Sequence, residues 1–507
     1  MQHSHQTPPL DMFVVGGGIN GTGIANDAAG RGLSVALCEQ GDLASATSSA
    51  SSKLIHGGLR YLEHREFRLV SEALHEREIL LAKAPHIIRP MRFILPHRPH
   101  LRPAWMLRAG LFLYDHLGRR KRLPGSRALR FGPRSPLAPG IRRGFEYSDC
   151  WVDDARLVVL NARQAADQGA EILVRTRCIA TREVNGRWEV ELEDTRSGAR
   201  FLRHARTLVN AAGPWVERVV RRQAGRDSRY TIRMIQGSHL IVPRLNHDDR
   251  AFILQHHDGR IVFVLPWEND FSLIGTTDRR YRGDPAEVAA DEEEIDYLLG
   301  VVNDHFRHRL THDDVIRTFS GVRPLCDDES AEPSAMTRDY TLSLDDSGAP
   351  LLSIFGGKIT TYRKLAEAAL DSLAPHLPDM GRPWTSTAPL PGGDIDDPAS
   401  FAAALLADYP WLGETRAGRF ARSYGSLCRE FLAGAGAEAD LGEAFGAGLT
   451  AREVDYLVAR EWAERVEDIL WRRTKLDVRV TAPQRRRLAA YLNARSARPG
   501  LPRAALA

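Results

Sequence analysis

The sequence predicts an α/β fold in which a dinucleotide-binding domain is interleaved with a mixed-sheet substrate domain and is followed by an all-helical cap domain. Three observations support this prediction: a glycine-rich βαβ pattern near the N-terminus, further strand-to-glycine turns far along the chain, and a helical C-terminal part. A chain of 507 residues is too long for one hydrophobic core and indicates two or three domains.

The βαβ pattern begins with an apolar strand that runs into Gly16-Gly-Gly-Ile-Asn-Gly21, continues as a small-residue helix, and ends with a second apolar strand at Glu39. In this Rossmann-type fingerprint Gly16 permits a tight turn, Gly18 lets the backbone approach a pyrophosphate, and Gly21 lets the helix pack on the strand. The helix N-terminus offers N–H groups to phosphates. Because Glu39 can accept hydrogen bonds from ribose hydroxyls and disfavours a 2′-phosphate, the motif predicts a dinucleotide other than NADP.

Three remote segments predict a cofactor longer than NAD. Residues 42–61 are rich in hydroxyls and small side chains, residues 208–215 read as a buried strand ending in a small-residue turn, and residues 351–361 read as strand, glycine turn and helix start. Together they fit a large cofactor that lies across one domain. A flavin gains negative charge when it is reduced, and a helix N-terminus with Lys358 beside it would stabilise that anion.

These motifs resemble the aerobic, FAD-dependent (respiratory) glycerol-3-phosphate dehydrogenases. The resemblance runs from about residue 11 to about residue 475 and rests on residues 16–21, 46–62, 145–156, 319–325 and 355–364. It implies FAD as the cofactor, oxidation of sn-glycerol 3-phosphate to dihydroxyacetone phosphate with hydride transfer from C2 to flavin N5, and electron transfer to a membrane quinone. The expected cofactor-binding residues are Gly16, Gly18, Ile19, Asn20, Gly21, Glu39, Thr47, Ser48, Ser52, His56, Gly57, Cys178, Ala212, Gly213, Gly356, Gly357, Lys358 and Thr360.

A dianionic substrate requires fixed cations, and the arginine fork suits a phosphate. The resemblance implies that the substrate pocket is lined by Arg60, Tyr61, Arg323, Arg338 and Lys358. Arg323 is the strongest candidate because its context is otherwise apolar; the alternative for each arginine is a surface salt bridge. A base must also take the hydroxyl proton. His239 is the first candidate, with a hydrogen-bonded core histidine as the alternative, and the expected catalytic residues are Arg323, His239 and Lys358.

The charge is unevenly distributed along the chain. Between Arg89 and Arg130 there are eleven basic residues and one acidic residue, a net charge of +10, whereas the whole chain carries only +4. Apolar residues 105–114 and the basic cluster at 119–122 lie inside this segment. Such a combination predicts peripheral binding to an anionic membrane surface, with a solvated basic face over a core helix as the alternative. Nucleic-acid binding is not expected, since no binding motif accompanies the cluster.

The remaining composition constrains the location of the protein. Five scattered cysteines without a CxxC pair fit a reducing compartment and argue against disulfides and metal ligation. No signal-peptide pattern and no run of eighteen apolar residues is present. We therefore expect a cytoplasmic protein that is peripheral on the inner face of the cytoplasmic membrane and holds no metal.

The predicted domain division follows the interleaved motifs. It assigns residues 10–90, 145–230 and 346–388 to the FAD-binding domain, 91–144 to a basic apolar membrane-facing segment, 231–345 to the substrate domain, and 389–507 to the C-terminal helical domain.

Three alternative functions stay open from the sequence: an oxidase that uses O₂, an amine or amino-acid oxidase on the same fold, and a flavoprotein without turnover. The phosphate-suited arginines count against the second, and these arginines with Lys358 count against the third. The sequence also leaves open the electron acceptor, the quinone, the base, the oligomeric state (a homodimer is one option) and covalent attachment of the flavin. Non-covalent binding is assumed because no His or Cys occupies a position that demands a link.

Overall fold

The computed structural model describes residues 8–63, 65–98, 101–118, 122–327 and 339–496, except for the side chains of Arg60 and Ser496. The strands within these residues are β1 Leu10–Val15, β2 Val35–Glu39, β3 Leu54–Ile55, β4 Ile88–Pro96, β5 Arg127–Arg130, β6 Arg143–Val152, β7 Glu171–Val174, β8 Thr176–Val184, β9 Arg187–Asp194, β10 Arg200–Asn210, β11 Ile232–Pro243, β12 Ala251–Gln255, β13 Ile261–Trp267, β14 Phe271–Gly275, β15 Arg279–Arg280, β16 Arg317–Cys326, β17 Tyr340–Asp345, β18 Leu351–Gly356, β19 Ala444–Gly446 and β20 Leu449–Thr450. The α-helices are α1 Ile19–Gly30, α2 Phe67–Lys83, α3 Ala104–Leu117, α4 Asp154–Asp167, α5 Val216–Arg218, α6 Glu292–His305, α7 Tyr362–Leu373, α8 Pro398–Asp408, α9 Glu414–Ser423, α10 Cys428–Leu432, α11 Ala451–Glu461 and α12 Ala482–Ser496.

The first sheet is built on five parallel strands in the order β18–β10–β1–β2–β7, with β17 antiparallel at one edge and the β8–β9 pair attached to β10. Its two faces are both buried. Met12 and Val14 pack toward helices α1, α4 and α7, whereas Phe13 and Val15 pack toward Trp188 of β9. Because parallel strands all end at the same edge, the glycine turns after β1, β10 and β18 meet there.

The second sheet has ten strands and forms a roof over that edge. Its main path is β15–β11–β14–β13–β12–β4–β6–β3, with β16 paired to β11 and β5 paired to β6. Neighbouring strands are antiparallel except β12 and β4. Helix α6 covers one face through Leu298 and Val302. The other face shares a core with α2 and α3, to which Val70 and Leu111 belong.

The sequence-based domain division differs from this strand pairing at β3, β4, β5, β6 and β17. The first four belong to the second sheet, whereas β17, which the division placed in the substrate domain, pairs with β18 in the first sheet. The division placed β3, most of β6 and the start of β4 in the FAD-binding domain, and β5 and the rest of β4 in the membrane-facing segment. The division missed β4 because its arginines obscure the alternation of apolar and polar residues that identifies a strand. Arg89 stacks on Trp151, with 4.6 Å from the guanidinium carbon to the ring centroid, and Arg92 pairs with Glu146 at 2.9 Å.

The C-terminal part is helical, with a short hairpin of β19 and β20, and has its own core around Phe420 and Phe431. It is attached to the first sheet's domain by buried ion pairs. Two guanidinium nitrogens of Arg473 donate to the two carboxylate oxygens of Asp42, each at 2.8 Å. Arg156 of α4 pairs with Glu461 of α11.

Among the residues that the structure describes, no helix combines the length and the apolar character needed to cross a membrane.

Candidate active site

A deep cavity of about 380 Å³ lies where the two sheets meet, at the carboxyl ends of β1, β2, β10 and β18. This size falls in the range of roughly 300–1,000 Å³ that is usual for ligand sites. Its lining includes Glu39 at the end of β2 and Cys178 of β8, and also Lys358, Arg323 of β16 and His239 of β11.

The turn after β1 has the geometry that the fingerprint requires. Gly16 adopts φ +115°, and a Cβ placed on it would lie 2.5 Å from the carbonyl oxygen of Ala211. A Cβ on Gly21 would lie 1.9 Å from the carbonyl oxygen of Gly16, so helix α1 packs directly on the turn. Gly18, Ile19 and Asn20 line the cavity at the start of α1, whereas Gly21 lies behind its wall. A helix N-terminus of this kind, open to the cavity, is suited to receive a phosphate.

Glu39 lies where β2 ends and lines the cavity. Its carboxylate accepts hydrogen bonds at 2.8 Å from the backbone N–H groups of Gly17 and Gly41. Burial raises the pKa of this carboxyl group above its usual value. The two backbone bonds hold the acid beside the glycine turn, where it would meet the ribose of a dinucleotide and repel a 2′-phosphate.

Three predicted hydroxyls line the cavity from residues 47–52, and each is held by a different element. The hydroxyl of Thr47 donates to the carbonyl of Val322 at 2.6 Å. The hydroxyl oxygen of Ser48 accepts from the amide of Ile19 at 3.0 Å. Ser52 Oγ lies 2.9 Å from Nε2 of His239. The loop therefore connects the cofactor turn to the roof of the site.

The turn after β18 lies opposite the start of α1. Gly356 and Gly357 adopt φ +79° and +102°, and Nδ2 of Asn20 donates to the carbonyl of Gly356 at 3.2 Å. Lys358 follows, with Nζ 3.8 Å from the centroid of the Tyr61 ring. The chain then enters α7 through Thr360, and the predicted apolar face of α7 is buried. This arrangement places Lys358 in the cavity wall, directly before the helical segment that leads into α7.

Arg323 projects into the cavity from β16 and is oriented by the segment after β14. One guanidinium nitrogen, Nη2, donates to the carbonyl of Thr277 at 2.5 Å, and the other, Nη1, pairs with Asp278 at 2.7 Å. A Cβ on Gly237 would lie 2.4 Å from Nη2 of Arg323, so the neighbouring strand needs a glycine for the guanidinium to pass. The side chain is held in one orientation that a phosphate group can approach.

His239 of β11 also lines the cavity and is only 2% exposed. Its ring stacks on Phe319, with 4.7 Å between the centroids and 6° between the planes. Within the described residues Nδ1 has no hydrogen-bond partner. Burial, together with the charges of Lys53 and Arg323, lowers the pKa of His239 well below 6.5. The imidazole is therefore neutral and able to accept a proton.

The predicted site residues fall into three groups. Most of them line the cavity: Gly16, Gly18, Ile19, Asn20, Glu39, Thr47, Ser48, Ser52, His56, Tyr61, Cys178, Ala212, Gly213, His239, Arg323, Gly356, Gly357, Lys358 and Thr360. Gly21 and Gly57 lie behind the wall, and the amide of Gly57 donates to the hydroxyl oxygen of Tyr114 at 2.8 Å. Arg338 and the side chain of Arg60 lie outside the described part of the chain.

Sequence reasoning missed several residues that complete the site. Asp278 and Thr277 orient Arg323, and Trp215 and Phe263 line the cavity. A signal for Asp278 was present, because the polar residues 276–278 follow directly after the buried strand β14. Burial raises the pKa of Cys178 to about 12, so this residue contributes a neutral thiol to the wall.

The residues present fit a flavin dinucleotide. The cavity lining combines the acid Glu39 at the end of β2, the N-terminus of α1 and the glycine turn before α7. Oδ1 of Asn20, a lining residue, is buried and has no hydrogen-bond partner among the described residues. Within the described part of the chain, no group of three or more His, Cys, Asp or Glu side chains is arranged so that it could hold a metal ion.

Comparison with known families and curated proteins agrees with this geometry. The family model described as FAD dependent oxidoreductase matches residues 11–363, and the one described as C-terminal domain of alpha-glycerophosphate oxidase matches residues 383–496. A glycerol-3-phosphate dehydrogenase of Pseudomonas aeruginosa is 60% identical over 97% of this chain and 96% of its own. The aerobic glycerol-3-phosphate dehydrogenase of Escherichia coli is 58% identical over 95% and 97%.

Two further proteins extend the comparison. A D-erythritol 1-phosphate dehydrogenase of Brucella abortus is 53% identical over 94% of this chain and 96% of its own. The crystal structure of a glycerol-3-phosphate dehydrogenase from Bacillus halodurans complexed with FAD matches with a TM-score of 0.72 and 27% identity, and covers 96% of this chain and 94% of that one.

Proposed function

Since the chain belongs to the family of FAD-dependent glycerol-3-phosphate dehydrogenases, we propose that it oxidises sn-glycerol 3-phosphate to dihydroxyacetone phosphate and passes the electrons to a membrane quinone. The observation that carries the proposal is that Arg323, His239 and Lys358 line the same cavity as the dinucleotide fingerprint. A phosphate-binding cation, a neutral base and a lysine are the groups that this oxidation needs.

The protein groups have separable roles in the reaction. FAD, when bound, supplies the acceptor for the hydride that leaves C2 of the substrate. Arg323 binds the substrate phosphate with a guanidinium fixed by Thr277 and Asp278. His239 takes the proton of the C2 hydroxyl on its neutral ring. Lys358, at the start of the helical segment that leads into α7, would balance the negative charge that a reduced flavin gains.

The membrane part of the proposal rests on α3, whose two faces differ. Leu107, Leu111 and Tyr114 are buried, whereas Trp105 is 74% exposed and Phe112 is 60% exposed. Met106 and Leu113 are also exposed. Because helical positions seven residues apart nearly coincide, Trp105 with Phe112 and Met106 with Leu113 form two adjacent rows on the exposed side of α3. Arg108 and Arg122 are exposed nearby. An apolar helical face beside cations is suited to lie in an anionic bilayer surface.

We propose that this face holds the protein peripherally on the inner face of the cytoplasmic membrane, where a quinone is the available electron acceptor. The basic cluster at 119–121 that contributed to the prediction lies outside the described residues. A homodimer stays a prediction from the sequence.

The substrate belongs to the phosphorylated polyols. Two relatives at 58–60% identity are named for glycerol 3-phosphate, and one at 53% is named for D-erythritol 1-phosphate. Both molecules pair a phosphate with a secondary alcohol, which is what Arg323 and His239 are placed to bind and deprotonate. The higher identities favour glycerol 3-phosphate, and the dehydrogenase names do not favour an oxidase.

The test is anaerobic bleaching of the bound flavin. We expect sn-glycerol 3-phosphate to bleach the visible absorbance of the holoenzyme and an added short-chain quinone to restore it. D-Erythritol 1-phosphate and glycine are tested separately as alternative substrates. Bleaching by glycine alone would favour an amine oxidase, and recovery with O₂ that outpaces recovery with quinone, with stoichiometric peroxide, would favour an oxidase. Either result overturns the proposal.

A further inference from the structure

A buried carboxylate lies directly behind the wall that carries the substrate-facing residues. Glu294, in the first turn of α6, is 4% exposed. Its Oε2 accepts from Nε2 of Gln236 at 2.6 Å and from the hydroxyl of Ser238 at 2.9 Å, and its Oε1 accepts from the hydroxyl of Thr277. One carboxylate thus binds two separate segments of the second sheet.

The partners of Glu294 alternate with residues that line the cavity. On β11, Gln236 and Ser238 face Glu294, whereas Gly237 and His239 line the cavity. On the segment after β14, Thr277 faces Glu294, whereas Thr276 and Asp278 line the cavity. This follows from the period of two along an extended backbone. Glu294 therefore holds the back of the same backbone whose front lines the cavity.

The link to Arg323 is short. The carbonyl of Thr277 accepts a hydrogen bond from Nη2 of Arg323 at 2.5 Å, and the next residue, Asp278, pairs with Nη1 at 2.7 Å. The carbonyl of Gln236 lies at 3.5 Å from the same Nη2. Glu294 binds Gln236 and Thr277 directly, and Asp278 is the residue after Thr277. These three acceptors of Arg323 are thus all connected to Glu294.

The opposite strand is tied into the same cluster. Ser238 lies opposite Ser320 of β16, and their hydroxyl oxygens are 2.8 Å apart. The amide of Ser238 also donates to the hydroxyl oxygen of Thr277 at 2.9 Å. Because Arg323 itself lies on β16, the cluster fixes both the strand that carries the guanidinium and the backbone that receives its hydrogen bonds.

We propose that Glu294 is a positioning residue for the oxidation of glycerol 3-phosphate: by binding Gln236, Ser238 and Thr277 from behind, it sets the orientation of Arg323 toward the substrate phosphate. This inference rests on the proposed function. It gives α6 a role in substrate binding, in addition to the cover that Leu298 and Val302 provide for the second sheet.

The primary test is Glu294→Gln in the holoenzyme, a change that keeps the size of the side chain and removes one acceptor oxygen. We expect the KM for sn-glycerol 3-phosphate to rise roughly tenfold with a smaller change in kcat, because a displaced guanidinium weakens binding to substrate and transition state alike. The matched control is Glu292→Gln on the same turn, whose side chain is 82% exposed. The control should have the wild-type KM, flavin content and Tm.

A double-mutant cycle separates positioning from general stability. If Glu294 acts through Arg323, Glu294→Gln in an Arg323→Lys background should raise KM much less than it does in the wild type, since the fork it orients is already gone. Equal effects in the two backgrounds would overturn the proposal. A wild-type KM for Glu294→Gln would do the same.

A second variant covers the case in which Glu294→Gln does not bind FAD. Thr277→Val removes the hydroxyl that donates to Glu294 but keeps the carbonyl that binds Arg323, and we expect the same rise in KM. An unchanged KM in Thr277→Val would then overturn the inference. Failure of the proposed function is distinguishable, because in that case the wild-type flavin itself is not bleached by glycerol 3-phosphate.

Discussion

Arg323 shows how a single side chain becomes suited to a phosphate. Its guanidinium is partly buried, and its two terminal nitrogens are bound by the carbonyl of Thr277 and the carboxylate of Asp278. Both partners lie on one short segment, so the plane of the guanidinium is fixed before any substrate arrives. A preorganised fork binds an anion at a lower entropic cost than a flexible one.

We expect Arg323→Ala to lower kcat/KM for sn-glycerol 3-phosphate by a factor that corresponds to about 2–5 kcal/mol of lost transition-state binding, while the protein keeps its FAD. The reason is that the change removes a charge-assisted contact and leaves Asp278 without its cation. Steady-state kinetics and the ratio of flavin to protein absorbance measure both effects. Arg279→Ala is the control, since Arg279 is half exposed and pairs with Asp291 at the surface. Unchanged kcat/KM, or loss of FAD, would show that Arg323 has another role.

His239 leads to a pH prediction. Burial, with the charges of Lys53 and Arg323, lowers its pKa well below 6.5. A histidine with a lowered pKa is in its proton-accepting form at every pH above that value and loses this form only as the pH falls through it. The substrate phosphate itself titrates, with a second pKa of about 6, so kcat/KM must be corrected for the fraction of substrate that is dianionic. We expect the corrected kcat/KM to stay constant from about pH 8 down to about pH 6.5.

The measurement is kcat/KM across this range with wild-type enzyme, beside an independent titration of the substrate phosphate by ³¹P NMR. An inflection at or above pH 6.5 in the corrected profile would contradict a neutral His239 in the free enzyme. The same profile from His239→Gln should be lower at every pH but should show no new inflection.

At the scale of single elements, helix α3 joins two environments. Its outer face carries Trp105 and Phe112, and on its inner face Tyr114 accepts a hydrogen bond from Gly57 and donates to the carboxylate of Asp149 at 2.8 Å. Gly57 is adjacent to His56 and Gly58, which line the cofactor cavity. The proposed membrane face and the cofactor site are thus separated by the width of one helix.

Replacing both exposed aromatics of α3 tests the membrane proposal. We expect the variant carrying Trp105→Ser and Phe112→Ser to bind vesicles that contain phosphatidylglycerol at least roughly 100-fold more weakly, since burial of the two rings together contributes on the order of 3–6 kcal/mol. Vesicle flotation measures this binding, and activity with a water-soluble electron acceptor should stay at the wild-type level. Leu202→Ser, at an exposed apolar position on β10, is the control. Equal flotation of all three proteins would refute the assignment.

Local sequence patterns were sufficient to predict several elements but not the contacts between them. The glycine turns at Gly16 and Gly356, the acid that ends β2 and the apolar face of α7 follow from spacing and backbone conformation within a few residues. The pairing of Arg323 with Asp278 joins residues 45 positions apart, one on β16 and the other in the segment between β14 and β15. No local pattern encodes such a contact, because it depends on the register between strands that meet only in the folded sheet.

At the scale of the whole molecule, the interleaved architecture was predictable because each cofactor motif follows a buried strand, and parallel strands end at a common edge. The extent of the second sheet was not predictable from the sequence. Strand β4 contains Arg89, Pro90 and Arg92, which obscure its alternation of apolar and polar residues. Arg89 and Arg92 contact Trp151 and Glu146 of β6, more than fifty residues later. The roof of the site therefore includes chain that composition alone assigned to the membrane-facing segment.

The C-terminal part is held to the cofactor-binding part by buried charges. Arg473 is fully buried and binds both oxygens of Asp42, while Arg472 binds Asp42 from the other side at 2.5 Å. Asp42 begins the loop that carries Thr47, Ser48 and Ser52 into the cofactor cavity. The contact between the two parts is therefore continuous with the wall of the site.

We expect Arg473→Leu to destabilise the protein by about 3 kcal/mol, because removing one partner of a buried ion pair leaves the other charge poorly compensated. The loop after Asp42 should loosen with it, so we also expect FAD to dissociate more readily. Thermal unfolding followed by circular dichroism and flavin release followed by fluorescence measure the two effects separately. Arg429→Leu is the control, since Arg429 and its partner Asp408 are both exposed.

The two readouts distinguish two roles for this contact. If it anchors the loop, added FAD should restore part of the lost Tm of Arg473→Leu, because a ligand that binds only the folded state stabilises it by mass action. If the contact serves only to fasten the C-terminal helices, Tm should fall while FAD release stays at the wild-type rate. That second result would contradict the coupling proposed here and would confine the role of Arg473 to holding the two parts together.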